Sequence, residues 1–154
     1  MNTNIKSIEP QDVKTILSTL WIFATLNYLF CDVLGFFDPM TLNTLITGSA
    51  GNLQITPDFL LGAAILMEIP IAMVLLSRVL KYGANRWANI IAGTIMTLVQ
   101  ISSLFVGTAP TSYYIFFSVI EVTCTAFIVW YAWKLVNPEK QSQIQPNIFF
   151  LASV

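Results

Sequence analysis

Three carboxylic acids, Asp32, Glu68 and Glu121, each stand inside a long apolar run of the sequence. An ionisable group within a bilayer is costly, so it usually faces a bundle interior or water and often marks function. Two such acids can divide proton work, one protonated acid donating while the other carboxylate accepts. They can equally hold the polar or cationic group of a hydrophobic ligand. No Lys or Arg shares the depth of Glu68 and Glu121. At least one of the two is therefore expected to be protonated at neutral pH, by desolvation and mutual repulsion. The chain has no histidine, which removes the commonest metal ligand, general base and haem ligand together. Cys31 and Cys124 form no CxxC pair, so a thiol–disulfide enzyme is disfavoured and both are expected to pack as small apolar groups. Neither a metal nor a cofactor is expected.

The elements that must position these acids follow from composition. Of 154 residues, 56% are hydrophobic and 10% charged, whereas soluble domains run at about a quarter charged. Lipid is the solvent that tolerates such a surface. Four stretches reach the roughly 20 apolar residues needed to cross a bilayer: 15–37, 58–80, 87–109 and 113–136. The fold class expected is an all-α membrane protein, a four-transmembrane-helix antiparallel bundle over residues 15–136. Residues 1–14 are polar, contain Glu9 and Asp12, and do not read as a cleavable signal peptide. Residues 38–57 read as an outer loop by turn chemistry, with Leu42 to Ile46 able to form a short interfacial helix. Asp58 is the expected N-cap of the second span. The KYGAN and APTS links are short, so the spans they join should be antiparallel neighbours. The tail 137–154 is polar and ends in IFFLASV, too short to span but able to lie on the membrane.

Lys and Arg stay on the cytoplasmic side of a membrane protein, and here the asymmetry is complete. Lys6 and Lys14 precede the first span, Arg78, Lys81 and Arg86 bracket the second link, and Lys134 and Lys140 follow the last span. Both termini are thus expected in the cytoplasm. Trp21, Trp87, Trp130 and Trp133 fall in the same half and Tyr113 and Tyr114 at the outer end, a pattern read as interface belts. Small four-helix multidrug exporters, some of which insert in both orientations, are disfavoured by this bias. Nothing in the charge pattern suggests nucleic acid.

At about 1.5 Å per helical residue, Glu68 lies roughly 15 Å from the outer end, Glu121 roughly 12 Å and Asp32 roughly 7 Å. Asn27 and Gln100 fall near 14 Å on the same ruler. On the fourth span Tyr114, Ser118, Glu121 and Thr125 follow at three- and four-residue steps. On the third, Gly93, Thr97, Gln100, Ser103 and Gly107 do the same, and each set makes one polar stripe. The second span presents Ala64, Glu68 and Ala72. Trp21, Tyr28, Asp32 and Gly35 cluster on the first span, with Asn27 on another face. Pro70 should bend the second span and free the Leu66 carbonyl beside Glu68. Such amides and hydroxyls also serve as plain interhelical hydrogen-bond partners, and that alternative stays open. Ser77, Arg78, Lys81, Arg86 and Asn89 surround the tight turn, where Arg78, Lys81 and Arg86 are either ordinary positive-inside anchors or an anionic headgroup or phosphate site.

The strings LLGAAILMEIPIAMVLLSRVL, NRWANIIAG, YYIFFSVIE and WYAWKLV resemble an uncharacterised bacterial family of small four-helix membrane proteins, over roughly Leu20 to Leu135. That resemblance implies a multi-pass protein of the bacterial cytoplasmic membrane. It singles out Glu68, Arg78, Asn85, Arg86, Trp87 and Glu121, and supplies no activity. In general plan the chain is also similar to DoxX-like proteins. The expected function is binding or carrying of a small hydrophobic or lipid-like ligand, held by Glu68 and Glu121 and lined by Asp32, Tyr28, Asn27, Gln100, Tyr114 and Ser118. The alternatives are a membrane enzyme with Glu68 and Glu121 as acid and base (isomerisation, cyclisation or epoxide opening of an isoprenoid-like substrate), a proton-coupled transporter, and an accessory subunit. Membrane lipids, the ligand and a second copy of the chain are the partners expected.

Overall fold

A computed structural model describes residues 10–50, 53–106 and 109–135. The expectations for Lys6, Lys140, Gly107 and the tail 137–154 lie outside these residues. Five helices and a small hairpin follow in the order α1 (Pro10–Gly35), α2 (Pro39–Thr47), β1 (Ser49–Ala50), β2 (Leu53–Gln54), α3 (Pro57–Val79), α4 (Tyr82–Ser103) and α5 (Ser112–Lys134). The outer loop is thus more ordered than its composition suggests. Asp38 caps α2, its carboxylate accepting from the Thr41 amide at 3.0 Å and the Thr41 hydroxyl at 2.6 Å, and Pro39 opens the helix. Gly48 ends it at φ +70°, a conformation that favours glycine. The strands then pair antiparallel, Ser49 with Gln54 and Ala50 with Leu53.

Thr56 is the N-cap of α3, its hydroxyl accepting from the Phe59 amide at 3.2 Å, with Pro57 in the first helical position. Asp58, expected as the cap, instead lies in the first turn, where its charge suits the helix dipole. The second link is shorter than KYGAN, because α4 already begins at Tyr82 and only Leu80 and Lys81 separate it from α3. The helix therefore starts well before the apolar stretch within it.

The long helices form a ring in which α1 and α4 each pack on both α3 and α5. Contacts at the two ends set the directions. Ser18, early in α1, donates to the Val74 carbonyl late in α3 at 2.8 Å. Cys31 and Gly35, late in α1, share a pocket with Ser103 late in α4 and Tyr113 early in α5. Neighbours around the ring are thus antiparallel. The core is built on one α1 stripe, Leu17, Trp21, Ala24 and Tyr28, against Met73, Ala92, Met96, Cys124 and Ile128. Trp21 is fully buried, which corrects its assignment to an interface belt; Trp87, Trp130 and Trp133 are exposed.

Leu29, Phe30, Leu61, Ile65, Leu98, Phe116 and Val119 cover the outside of the long helices and are each more than half exposed. A soluble monomer does not carry so continuous an apolar surface. Three helices, α1, α3 and α5, are long and apolar enough to cross a membrane, and the chain has the character of a membrane protein.

Candidate functional site

The polar stripes of α4 and α5 face each other. Gln100 Nε2 donates to Ser118 Oγ at 2.8 Å, the Tyr114 hydroxyl donates to Ser103 Oγ at 2.6 Å, and the Thr97 hydroxyl donates to Thr125 Oγ1 at 2.7 Å. Small residues let the helices approach this closely. A Cβ added at Gly93 would lie 2.7 Å from Val129 Cγ2 and 3.3 Å from the Thr125 carbonyl. Each hydroxyl in the seam has a partner, so it rigidifies the pair of helices rather than offering free groups.

Glu121 is the exception on that stripe. It is 1% exposed, yet its Oε1 has no hydrogen-bond partner among the described residues. The Tyr28 hydroxyl, on a side chain 6% exposed, is likewise without one. Buried polar atoms are rarely left so, because each forfeits its hydration without replacement. The carboxyl of Glu121 lies within electrostatic reach of Tyr28, Cys31, Asp32 and Tyr114. Cys31, Asp32 and Tyr114 also line a pocket of about 410 Å³ that reaches α2 and Leu53 of β2. Phe36, Leu45, Val106 and Pro110 give that pocket apolar walls, and Thr41, Ser103 and Tyr113 give it further polar points. Its volume suits a small-molecule site, for which roughly 300–1,000 Å³ is usual. Neither Glu121 nor Tyr28 lines the pocket itself; Tyr28 stands one helical turn before Cys31 and Asp32 on α1, and both of those do line it.

Not every expected site residue joins this group. Glu68 is exposed on the outer surface of α3, whose buried face is Pro70, Met73 and Ser77. The Ala64, Glu68 and Ala72 face expected to look inward therefore looks out. The physical reason is that α3 is apolar all round, so burial is decided by packing and Pro70 went to the core. Glu68 and Glu121 do not share a site, and the acid–base pair expected of them has no geometric basis. Asn27 is also outside the pocket, half-buried and donating to the Phe23 carbonyl of its own helix at 2.8 Å. Asp32, by contrast, opens onto the pocket. Cys31 and Cys124 are free and buried.

At the opposite end Arg78 is exposed, and its Nε donates to Ser18 Oγ at 3.0 Å. Lys81 is exposed, whereas Arg86 is half-buried, with its guanidinium 5.9 Å from the Trp133 ring centre and its Nε without a hydrogen-bond partner among the described residues. Lys134 lies 4.2 Å from the Trp130 ring centre. Arg86 and Lys134 thus lie over tryptophan rings, an arrangement common to interfacial anchors, whereas Arg78 bonds to α1 and Lys81 is exposed. Below them lies a node that pattern reading missed. Asn89, fully buried, accepts from Trp21 Nε1 at 2.7 Å and from the Ser77 hydroxyl at 3.2 Å. It donates to Asn85 Oδ1 at 2.8 Å, and Asn85 in turn donates to the Ser77 carbonyl at 3.1 Å. The sequence reading had set Ser77 and Asn89 around the tight turn and singled out Asn85, but nothing local joined them to Trp21.

No curated protein and no solved structure matches the chain, and the expected similarity to DoxX-like proteins is not shown. A family of unknown function, DUF6326, matches over residues 6–141, and the chain belongs to it.

Proposed function

We propose that the chain is a four-span protein of the bacterial cytoplasmic membrane, both termini cytoplasmic, that holds a small hydrophobic or lipid-like ligand in its outward-opening pocket. Support for the fourth span comes from the distribution of residues on α4. Asn85, Asn89 and Gln100 are buried inside the ring, while Trp87, Ile91, Ile95, Leu98 and Ile101 form its outer face. The lipid-facing side of α4 is then apolar despite a polar interior. The complete Lys and Arg bias supports the orientation.

The observation that carries the ligand reading is the buried Oε1 of Glu121, without a partner among the described residues and within electrostatic reach of the equally unpartnered Tyr28 hydroxyl and of the pocket-lining Cys31 and Asp32. An acceptor and a hydroxyl so placed suit the polar or cationic end of a ligand whose hydrocarbon part rests against Phe36, Leu45 and Val106. Asp32, Gln100, Ser118 and Tyr114 complete the surroundings, Gln100 and Ser118 by fixing the seam behind Glu121. Glu68 has no part in it.

Native mass spectrometry of gently extracted protein tests this. A bound small molecule is expected in the wild type and in Glu68→Gln, and is expected to be lost from Glu121→Gln with the fold retained. A wild type that carries no ligand, or a Glu121→Gln variant that keeps it in full, overturns the proposal.

A further inference from the structure

Glu68 is the middle residue of α3, a helix of 23 residues that is long and apolar enough to span the membrane. Its side chain is exposed on the outer face, among Leu61, Ile65, Leu75 and Val79, each more than 60% exposed. In the bilayer that face meets hydrocarbon, where a carboxyl group has neither water nor a partner.

Other exposed or half-buried polar side chains on the outer faces of the long helices solve this problem internally. Thr19 donates to the Thr15 carbonyl at 2.8 Å, Asn27 to Phe23 at 2.8 Å, Thr94 to Ile90 at 2.7 Å, Ser102 to Leu98 at 2.8 Å and Thr123 to Val119 at 2.6 Å. Asp32 opens onto the pocket. Glu68 does neither. A hydroxyl or amide can turn back one turn to its own helix, and a glutamate in this position has not.

We infer that the Glu68 face of α3 is the interface with a second copy of the chain, the two Glu68 carboxyls pairing across a two-fold axis. The occupant is chosen by chemistry. No Lys or Arg stands between residues 15 and 77 or between 87 and 133, so another copy can offer no cation at this depth. A carboxylic acid both donates and accepts, which makes it complementary to itself. Two copies inserted in one orientation relate by an axis along the membrane normal, which sets the two α3 helices parallel and brings each residue opposite its own equivalent. Leu61, Ile65, Glu68, Ala72, Leu75 and Val79 follow at alternating steps of four and three, the spacing of a left-handed helix pair. Ala64 and Ala72, one turn either side of Glu68, keep the approach close enough for the carboxyls to meet. The single polar position would fix register and copy number, as a lone buried polar residue does in a coiled coil.

Two measurements test the inference. In native mass spectrometry from lipid nanodiscs, the wild type and Glu68→Gln should appear at twice the chain's 17.2 kDa. Glu68→Leu should lower the dimer-to-monomer ratio by about threefold to tenfold, the range expected for losing one interhelical polar contact in a membrane. In oxidised membranes Ala72→Cys should give a disulfide-linked dimer, and Ile91→Cys, at similar depth on the outer face of α4, should not. Native Cys31 and Cys124 are buried, which keeps the background low. A wild type found only as a monomer, equal cross-linking at both cysteines, or a different protein cross-linked at Ala72→Cys each overturns the inference.

Discussion

Replacing Asn89 by alanine should be among the most damaging single changes to the bundle, and the size of the effect follows from the atoms it strands. The carboxamide oxygen is the acceptor for both Trp21 Nε1 and the Ser77 hydroxyl, and it ties α1, α3 and α4 at one point. In Asn89→Ala the Ser77 hydroxyl can rotate to a carbonyl of its own helix, so its loss is close to zero. The indole N–H of Trp21 has no such freedom, because the ring is fully buried. An orphaned buried donor costs about 1–3 kcal/mol, and the space left by the carboxamide adds about 1 kcal/mol. The expected destabilisation is about 2–4 kcal/mol. Membrane hydrogen bonds measured by double-mutant cycles average only about 0.6 kcal/mol, so a large result here must come from the stranded donor. Equilibrium unfolding in mixed micelles should show it, with Asn27→Ala, whose bond stays within its own helix, changing stability by less than about 0.5 kcal/mol. Trp21→Phe removes the donor, so the double variant should recover part of the loss. A cost below about 1 kcal/mol for Asn89→Ala, or strict additivity with Trp21→Phe, would refute the reasoning.

Gly93→Ala should destabilise by about 1–3 kcal/mol in the same unfolding assay, because the stiff Val129 side chain and the Thr125 backbone must both give way. Val129→Ala should restore much of that loss. Tyr28→Phe should leave ligand-free protein unchanged or slightly more stable, since the hydroxyl it deletes has no partner. The same variant should lower the ligand content seen by mass spectrometry. The Asp38 carboxyl is held below the ordinary aspartate range, first by the Thr41 hydroxyl and then by the Thr41 amide. A depressed value means that the cap contributes stability above the ordinary range near about pH 4 and loses it as pH falls through the folded value. Hydrogen exchange over residues 39–47 should be steady at neutral pH and, after correction for intrinsic rates, rise only below about pH 4. In Asp38→Asn that acid step should disappear.

The facing stripes of α4 and α5 were legible in sequence because polar and small residues recur there against an apolar background, so periodicity marks the inner side. Glu68 was not, because one acid on a helix apolar all round has no periodic context to say inward or outward. The same absence hid the burial of Pro70. Trp21 was misplaced for a different reason: its partner Asn89 stands 68 residues away, and nothing local distinguishes an interfacial tryptophan from one that donates into a core. Helix starts were late in the reading because hydropathy marks where lipid begins, whereas α4 starts at the backbone turn after Lys81. The three short-range features that decided the outer loop, the Asp38 cap, Pro39 and Gly48, were all present as turn residues; the helix they enclose was underestimated and the short hairpin after it was not expected.

The Asn89 node also gives the molecule a mechanical polarity. One half of the ring is pinned through a side chain shared by three helices, and the other half holds a pocket lined in part by α2 and Leu53 of β2. Thermal opening is then expected to be cheapest at the pocket end, between α1 and the α4–α5 pair and not within that pair, which its own seam holds together. On the ligand reading proposed above, an occupant is expected to exchange through that side and not through the pinned base.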